Sequence, residues 1–298
     1  MLPDGSIRYV QPFHVSLEGM ETAVLCRDDA DYDAFVKIIC VAARRKNVII
    51  IIYAVVSNHS HVAVLAKNKE DAENYGEEVK RVSSMWLAKR YGERGKMQKV
   101  DVKALPLDSD WYLRNALAYI PRNALDNGCN VNDYPWSGYR AMFRKEPLQV
   151  NHYKKVSQMR QRERRAILHT ADVLSDVPWL VDADGSLVPE SFCDVAYLEQ
   201  AFNHDQVYFI RTIGSLNSAE MEQKLVDAPR TMMPDTDFYS DADAVAIRWF
   251  RTGLSSLSLE QKIRLIPYLK RTRKTTISQL ARVFGLKRDK IEAILLAK

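Results

Sequence analysis

His59 and His61 stand two residues apart, directly after the most apolar stretch of this 298-residue chain, VIIIIYAVV (48–56). Residues i and i+2 of an extended segment point to the same face, so both imidazoles can converge on one cation. A β-sheet makes a rigid holder for such a pair. Taken alone, two such histidines are more often ordinary core or surface side chains than metal ligands. A second set lies on a later segment, where Tyr112, Tyr119 and Asn123 are spaced 7 and 4. On a helix this spacing gives one strip, with Tyr119 and Asn123 one turn apart. An amide oxygen there can supply a third ligand to the cation, and a phenol can act as nucleophile. A half-buried tyrosine and a surface asparagine fit the same spacing.

The elements that would position these groups follow from pattern. PFHVSLE (12–18) alternates like a strand and ends at Gly19. Residues 28–45 read as a helix with acids in the first turn and Arg44 and Arg45 in the last, which suits the macrodipole. Residues 48–56 have the length and β-branching of a strand buried on both faces, and 61–66 of its partner. A helix follows at 71–91, with Val79, Val82, Met85 and Trp86 as its apolar stripe, and then a strand at 99–105. Asp108 or Ser109 caps a helix to about 126, stopped by Asn127-Gly128. Its core stripe is Leu113, Leu117, Ile120 and Ala124, a quarter-turn from the Tyr119 strip. This order describes an α+β fold, an antiparallel sheet with helices packed on it. DYPW (133–136) reads as a turn and the stretch to about 155 as a linker. Residues 156–250 read as mostly helical, with a turn at Asp184-Gly185 and breaks at Pro178, Pro189, Pro229 and Pro234. The expected division is 1–150, 151–250 and 251–298.

With 47% hydrophobic and 27% charged residues, the chain is not disordered, collagen-like or a disulfide scaffold. Its four cysteines, Cys26, Cys40, Cys129 and Cys193, are scattered. No run approaches the ~20 apolar residues of a membrane span. MLPDGSIRYVQ lacks the basic segment and apolar core of a secretory signal. A cytoplasmic, nucleoid-associated setting is expected, with no membrane partner. The net charge of +5 is uneven: residues 251–298 hold 12 Lys and Arg against 3 acids, a balance of +9, leaving −4 on the rest. A basic end on a mildly acidic body points to a polyanion.

That basic end also carries a pattern. Residues 258–271 read as a helix. In TISQLARVFGLKRDKIEAILLAK, Ala281 is small enough for close helix approach, Gly285 can take the left-handed turn, and Ile291 buries the last helix. This is helix-turn-helix spacing, in which the last helix can enter a major groove. Lys287, Arg288 and Lys290 stand at that helix's start, and Lys270, Arg271, Arg273 and Lys274 precede the motif. All seven are candidate DNA contacts. A plain helical hairpin is the alternative.

YAVVSNHSHVAVL, WYLRNALAYIPRNALDNG and DYPWSGYRA, in this order, resemble the single-tyrosine HUH transposases. The REP-associated tyrosine transposases are the nearest group, and some carry an added C-terminal helix-turn-helix. HVSLEG resembles their first strand, with His14 and Gly19 in place. The resemblance spans about residues 10–145. It implies an HUH endonuclease, ferredoxin-like fold, with His59 and His61 as paired cation ligands, Asn123 as the third and Tyr119 as nucleophile. It implies Mg2+ or Mn2+, single-stranded or hairpin DNA, and a 5′-phosphotyrosine with a free 3′-hydroxyl that can be rejoined. Relatives exist as monomers and as homodimers, and either state fits.

Four positions depart from that pattern. Ser60 replaces a bulky apolar residue between the histidines, and Ser57 a common proline. Glu18 sits where an arginine is frequent. Pro121 lies between Tyr119 and Asn123, whereas the family proline follows the asparagine, where this chain has Ala124. A proline inside a helix costs about 3 kcal/mol or kinks it, which would shift Asn123. The competing expectation is therefore a non-catalytic DNA-binding regulator with a degenerate site.

Overall fold

The computed structural model describes residues 10–18, 24–224, 233–273 and 275–296. Gly19, Pro229 and Lys274, singled out above, lie outside the described residues. The first half runs β1 (Gln11–Glu18), α1 (Asp29–Lys46), β2 (Ile49–Val55), β3 (Ser60–Ala66), α2 (Lys69–Tyr91), β4 (Asp101–Pro106) and α3 (Asp110–Arg122). This is the α+β order expected. The four strands form one antiparallel sheet in the order β2-β3-β1-β4. Local signals fix the helix ends. Asp28 and Asn68 accept from backbone N–H groups at the starts of α1 and α2. Asn47 (φ 57°) and Gly92 (φ 70°) turn the chain out of them in the left-handed region.

The two faces of the sheet are covered differently. Phe13, Val15 and Leu17 of β1 share a face with Val102 and Ala104 of β4, and α2 lies on it. The approach is close: a Cβ on Gly76 of α2 would sit 2.3 Å from Val102 Cγ1 and 3.0 Å from Val15 Cγ1. On the opposite face stand His14, Ser16 and Glu18 with His61 and Ala63. There α3 packs against β2 and β3, so every residue of β3 is buried. The β4 margin of that face stays exposed at Lys103 and Leu105.

The middle is mostly helical, as expected, but its first part departs from that reading. Residues 154–194 hold one eight-residue helix, α4 (Gln161–Leu168), and a two-stranded ribbon of β5 (Lys154–Lys155) with β6 (Leu180–Val181). Pro178 and Pro189 flank β6, and a proline disfavours helical backbone at and before itself. The turn at Asp184-Gly185 is present, with Gly185 at φ 83° and the Asp182 carboxylate accepting from Asp184 and Ser186 N–H. Helices resume with α5 (Val195–Ala201), α6 (Gln206–Lys224), α7 (Asp235–Phe250), α8 (Leu259–Thr272), α9 (Ile277–Phe284) and α10 (Arg288–Leu296). No described helix is long and apolar enough to cross a membrane.

Residues 151–250 do not keep to themselves. Leu198, Phe202, Phe209 and Ile213 enter the core of the sheet. Val156, Leu168, Leu174 and Trp179 pack with Cys40 and Val41 of α1. Phe238, Ala242 and Val245 of α7 join α8, α9 and α10 around Leu265, Leu280 and Ile291, together with Val24 from the first half. The terminal helical unit thus begins at α7 rather than at residue 251, because α7 supplies one wall of its core. The packing at Gly76 yields a test: Gly76→Ala should destabilise the chain by about 1–3 kcal/mol, read as a lower denaturant midpoint, since Val102 and Val15 must both retreat.

Candidate functional site

β3 begins one residue after His59, and its pleat sends His61 to the face on which α3 lies. His61 is opposite Ser16 in β1, which puts His14, the partner of Ala63, on the diagonal. His14 Nε2 and His61 Nδ1 are 3.0 Å apart, a hydrogen bond between the two rings. The His59 and His61 rings lie 4.8 Å apart at 81°. α3 sets the Tyr119 ring edge-on to His61 at 5.3 Å and to His14 at 6.3 Å. Three histidines from two strands and a loop, and one tyrosine from a helix, therefore share one place. His14 is a member that spacing did not single out as a site residue. The alternation of HVSLEG gives its face, but only the β1–β3 register brings it to His61.

Burial governs the charge of these rings. It pushes His61 well below the ordinary imidazole range, and the neighbouring His59 and His14 push the same way. Burial lowers His14 to about 4, against a smaller opposing pull from Glu18. Both rings are neutral at pH 7 and carry lone pairs. Burial would raise Glu18, but hydrogen bonds from Lys103 (2.7 Å) and the Ser16 hydroxyl (2.8 Å), the Lys103 charge and His59 together hold it below the usual range. A carboxylate thus stands beside the cluster, where an arginine was the commoner expectation. His59 Nδ1 lies 2.9 Å from Asn58 Oδ1. An amide oxygen only accepts, so Nδ1 is the donor of this pair.

Asn123 is placed by the helix end. Pro121 has no N–H to return to the preceding turn, α3 stops at Arg122, and residues Asn123–Asn127 tighten into a 3-10 turn. The backbone N–H of Asn123 bonds Ile120 O, one residue short of the α-helical partner. Its side-chain Nδ2 donates instead to Tyr119 O at 2.9 Å and Ile120 O at 3.1 Å. Asn123 is fully buried, and its Oδ1 has no hydrogen-bond partner among the described residues. A buried acceptor in that state costs about 1–3 kcal/mol, so this oxygen gains from a ligand. Arg122, also buried, places Cζ 5.8 Å from the centre of the Tyr119 ring.

Comparison with protein-family models, with curated proteins and with solved structures returns no match. Two neutral imidazoles and an orphaned amide oxygen are the donor types that a divalent cation takes. Among the described residues no group of three His, Cys, Asp or Glu is arranged to hold a metal ion.

The basic candidates fall into two sets. Lys287, Arg288 and Lys290 are exposed around the start of α10, Arg288 in a surface pair with Glu292 at 3.2 Å. Arg271 is exposed at the end of α8. Lys270 Nζ donates to Thr275 O (2.6 Å), and Arg273 donates twice to Asp241 (2.7 and 3.2 Å). Those two side chains brace the segment between α8 and α9. Gly285, at φ 63°, carries the chain from α9 into α10, with Ala281 and Ile291 buried between them.

One carboxylate joins both regions. Asp235, 4% exposed at the start of α7, accepts from Arg282 Nε (2.6 Å) and Nη2 (2.9 Å) and from Gln279 Nε2 (3.0 Å), all on α9. It also accepts from the hydroxyl of Ser57 at 2.7 Å. Ser57 is two residues before His59, so the histidine loop is tied to the terminal helices. Asp235→Ala should cost about 1–3 kcal/mol, because it removes the buried acceptor that Arg282, Gln279 and Ser57 share; chemical denaturation reads the loss. A second expectation concerns pH. The unfolded chain protonates His14 near 6.5 and the folded chain only near 4. The stability that this ring contributes is full above pH 6.5 and falls as pH drops toward 4, by on the order of 2–3 kcal/mol. The denaturant midpoint should therefore fall between pH 7.5 and 5, and fall less in His14→Gln.

Proposed function

We propose that the chain is a DNA-strand-nicking and rejoining enzyme of the tyrosine HUH transposase type, acting on single-stranded hairpin DNA. The observation that carries this reading is the Tyr119 ring edge-on to the buried His61, which lies against His59 and His14. Tyr119 is the nucleophile. Its phenol oxygen attacks a backbone phosphorus, the bond from phosphorus to the 3′-oxygen breaks, and the 5′-phosphate remains on the tyrosine. The link conserves the bond energy, so a 3′-hydroxyl can reverse the step without a nucleotide cofactor.

His59, His61 and the free Oδ1 of Asn123 would hold Mg2+ or Mn2+, which favours phenolate and offsets charge at the phosphate when bound. Asn58 and His14 orient the two ligand rings through their Nδ1 atoms. Asn123 has its nitrogen committed to the helix end, which turns its oxygen into the available donor. Arg122 sets positive charge beside the Tyr119 ring, where a phenolate benefits from it.

α9, Gly285 and α10 act as a helix-turn-helix in this reading, with Lys287, Arg288 and Lys290 on flanking duplex DNA and Arg271 beside them. Such a protein works at the nucleoid in the cytoplasm, as a monomer or homodimer. A non-catalytic DNA-binding regulator is the second reading. It is motivated by the departures at Ser60, Glu18 and Pro121, which put a carboxylate beside the cluster and a proline between Tyr119 and Asn123.

Labelled single-stranded hairpins incubated with the protein and Mn2+, followed by denaturing gels, decide between them. The wild type should give a covalent adduct that Tyr119→Phe abolishes, with at least a 10²-fold loss of rate. Calorimetry should show Mn2+ binding that His59→Ala and His61→Ala remove. A protein that binds hairpins but forms no adduct with any of them is the regulator.

A further inference from the structure

α3 carries a second feature at its other end. Trp111, in its first turn, is 73% exposed, the largest aromatic surface the described chain offers to solvent. Beside it runs a cleft of about 490 Å3 between α3 and α6, lined by Trp111, Arg114, Tyr208, Arg211 and Thr212 among others, with no carboxylate in its walls. That volume is within the range of ligand clefts, about 300–1,000 Å3. Tyr208 is 38% exposed, and its ring is buttressed: the buried Phe202 meets it edge-on at 5.4 Å, and Arg114 Cζ stands 6.0 Å from its centre. Arg114 is fixed by donation from Nε to Ala201 O at 2.7 Å. It also pairs with the exposed Asp110 at 3.3 Å, a surface pair of small worth. Arg211 is exposed, and no described carboxylate pairs with it.

We infer that this cleft is a binding site for single-stranded nucleic acid, in which an unpaired base stacks on Trp111 and Tyr208 while Arg114 and Arg211 meet the backbone phosphate. Two aromatic side chains and two arginines lining one cleft are the groups that hold unstacked bases without reading sequence. Duplex DNA keeps its base faces covered and cannot use them. The position suits a strand held at Tyr119. Trp111 is eight residues earlier on the same helix, a rise of about 12 Å, so a strand running along α3 passes both. The inference rests on the reading of the chain as a protein of single-stranded DNA, and the experiment separates the two.

Fluorescence anisotropy with labelled single-stranded oligothymidine is measured on Tyr119→Phe protein, so that no cleavage intervenes. Trp111→Ala and Arg211→Ala should each weaken binding about tenfold, Trp111→Phe should retain most of it, and duplex affinity should be unchanged. Circular dichroism checks folding; both residues are exposed, so their loss leaves the core intact. If Trp111→Ala and Arg211→Ala bind the oligonucleotide as tightly as their parent, the cleft is not a base site, even if wild type forms the Tyr119 adduct. If they bind weakly and no adduct ever forms in wild type, the cleft stands and the nicking reading falls. If the parent binds no single strand at all, the cleft inference is overturned, and any adduct formed on hairpins arises without it.

Discussion

The pleat of β3 constrains everything around the site. Its seven residues are buried on both faces, so a histidine within it must lie under a helix rather than in water. His61 faces α3 because Val62 and Val64 face the other way, against β2 partners Tyr53 and Ile50. A shift of one residue in the pairing would exchange these faces and place an imidazole among aliphatic side chains. Once His61 is fixed, its neutrality follows from burial, and so does its need for a hydrogen-bond partner, which His14 meets across the strands. Tyr119 then needs only to lie on the strip of α3 next to the core stripe, and Leu117 and Ile120, both fully buried, hold that rotation.

The second constraint is Asp235. A buried carboxylate with three donor residues is stable only while all of them are present, and these come from the loop before His59 and from α9. The histidine loop and the terminal helices therefore share a junction whose parts are not independent. A serine at position 57 matters here, since a proline could not offer the hydroxyl that reaches Asp235. The departure from the family pattern at that position thus coincides with a contact to a part of the chain that lies beyond the span of the resemblance.

Much of the first half was legible because periodicity and caps agree. The strands at 12–18 and 48–56 and the helix at 28–45 follow from alternation, β-branching and charge at the helix ends. Spacing gave His59 and His61 one face and Tyr119 and Asn123 one strip, but not their meeting, which depends on α3 covering β2 and β3. His14 was beyond reach for the same reason, as strand register is a long-range property. Residues 156–194 differ from the helical reading because QRERRAIL supports only one short helix, while prolines at 178 and 189 impose ribbon and turn. The end at α7 was invisible too: Phe238, Ala242 and Val245 form an ordinary amphipathic stripe, and nothing local says which core it enters.

Pro121 shows how a local penalty is absorbed. By spacing it should displace Asn123, since it removes one hydrogen bond and crowds the previous turn. In the structure it falls in the last turn, where the chain is already leaving the α-helix, and the 3-10 turn at Asn123–Asn127 takes up the change. Tightening the backbone frees the carbonyl of Tyr119, and the Asn123 side chain supplies the donor that the backbone no longer provides. The amide is held by its nitrogen, and its oxygen, buried and without a hydrogen bond among the described residues, is fixed in direction as a result. A proline at this position therefore need not abolish a ligand at 123. It changes what holds that residue, from continued helix to a side-chain cap, and ties the orientation of the asparagine to the carbonyl of the tyrosine itself.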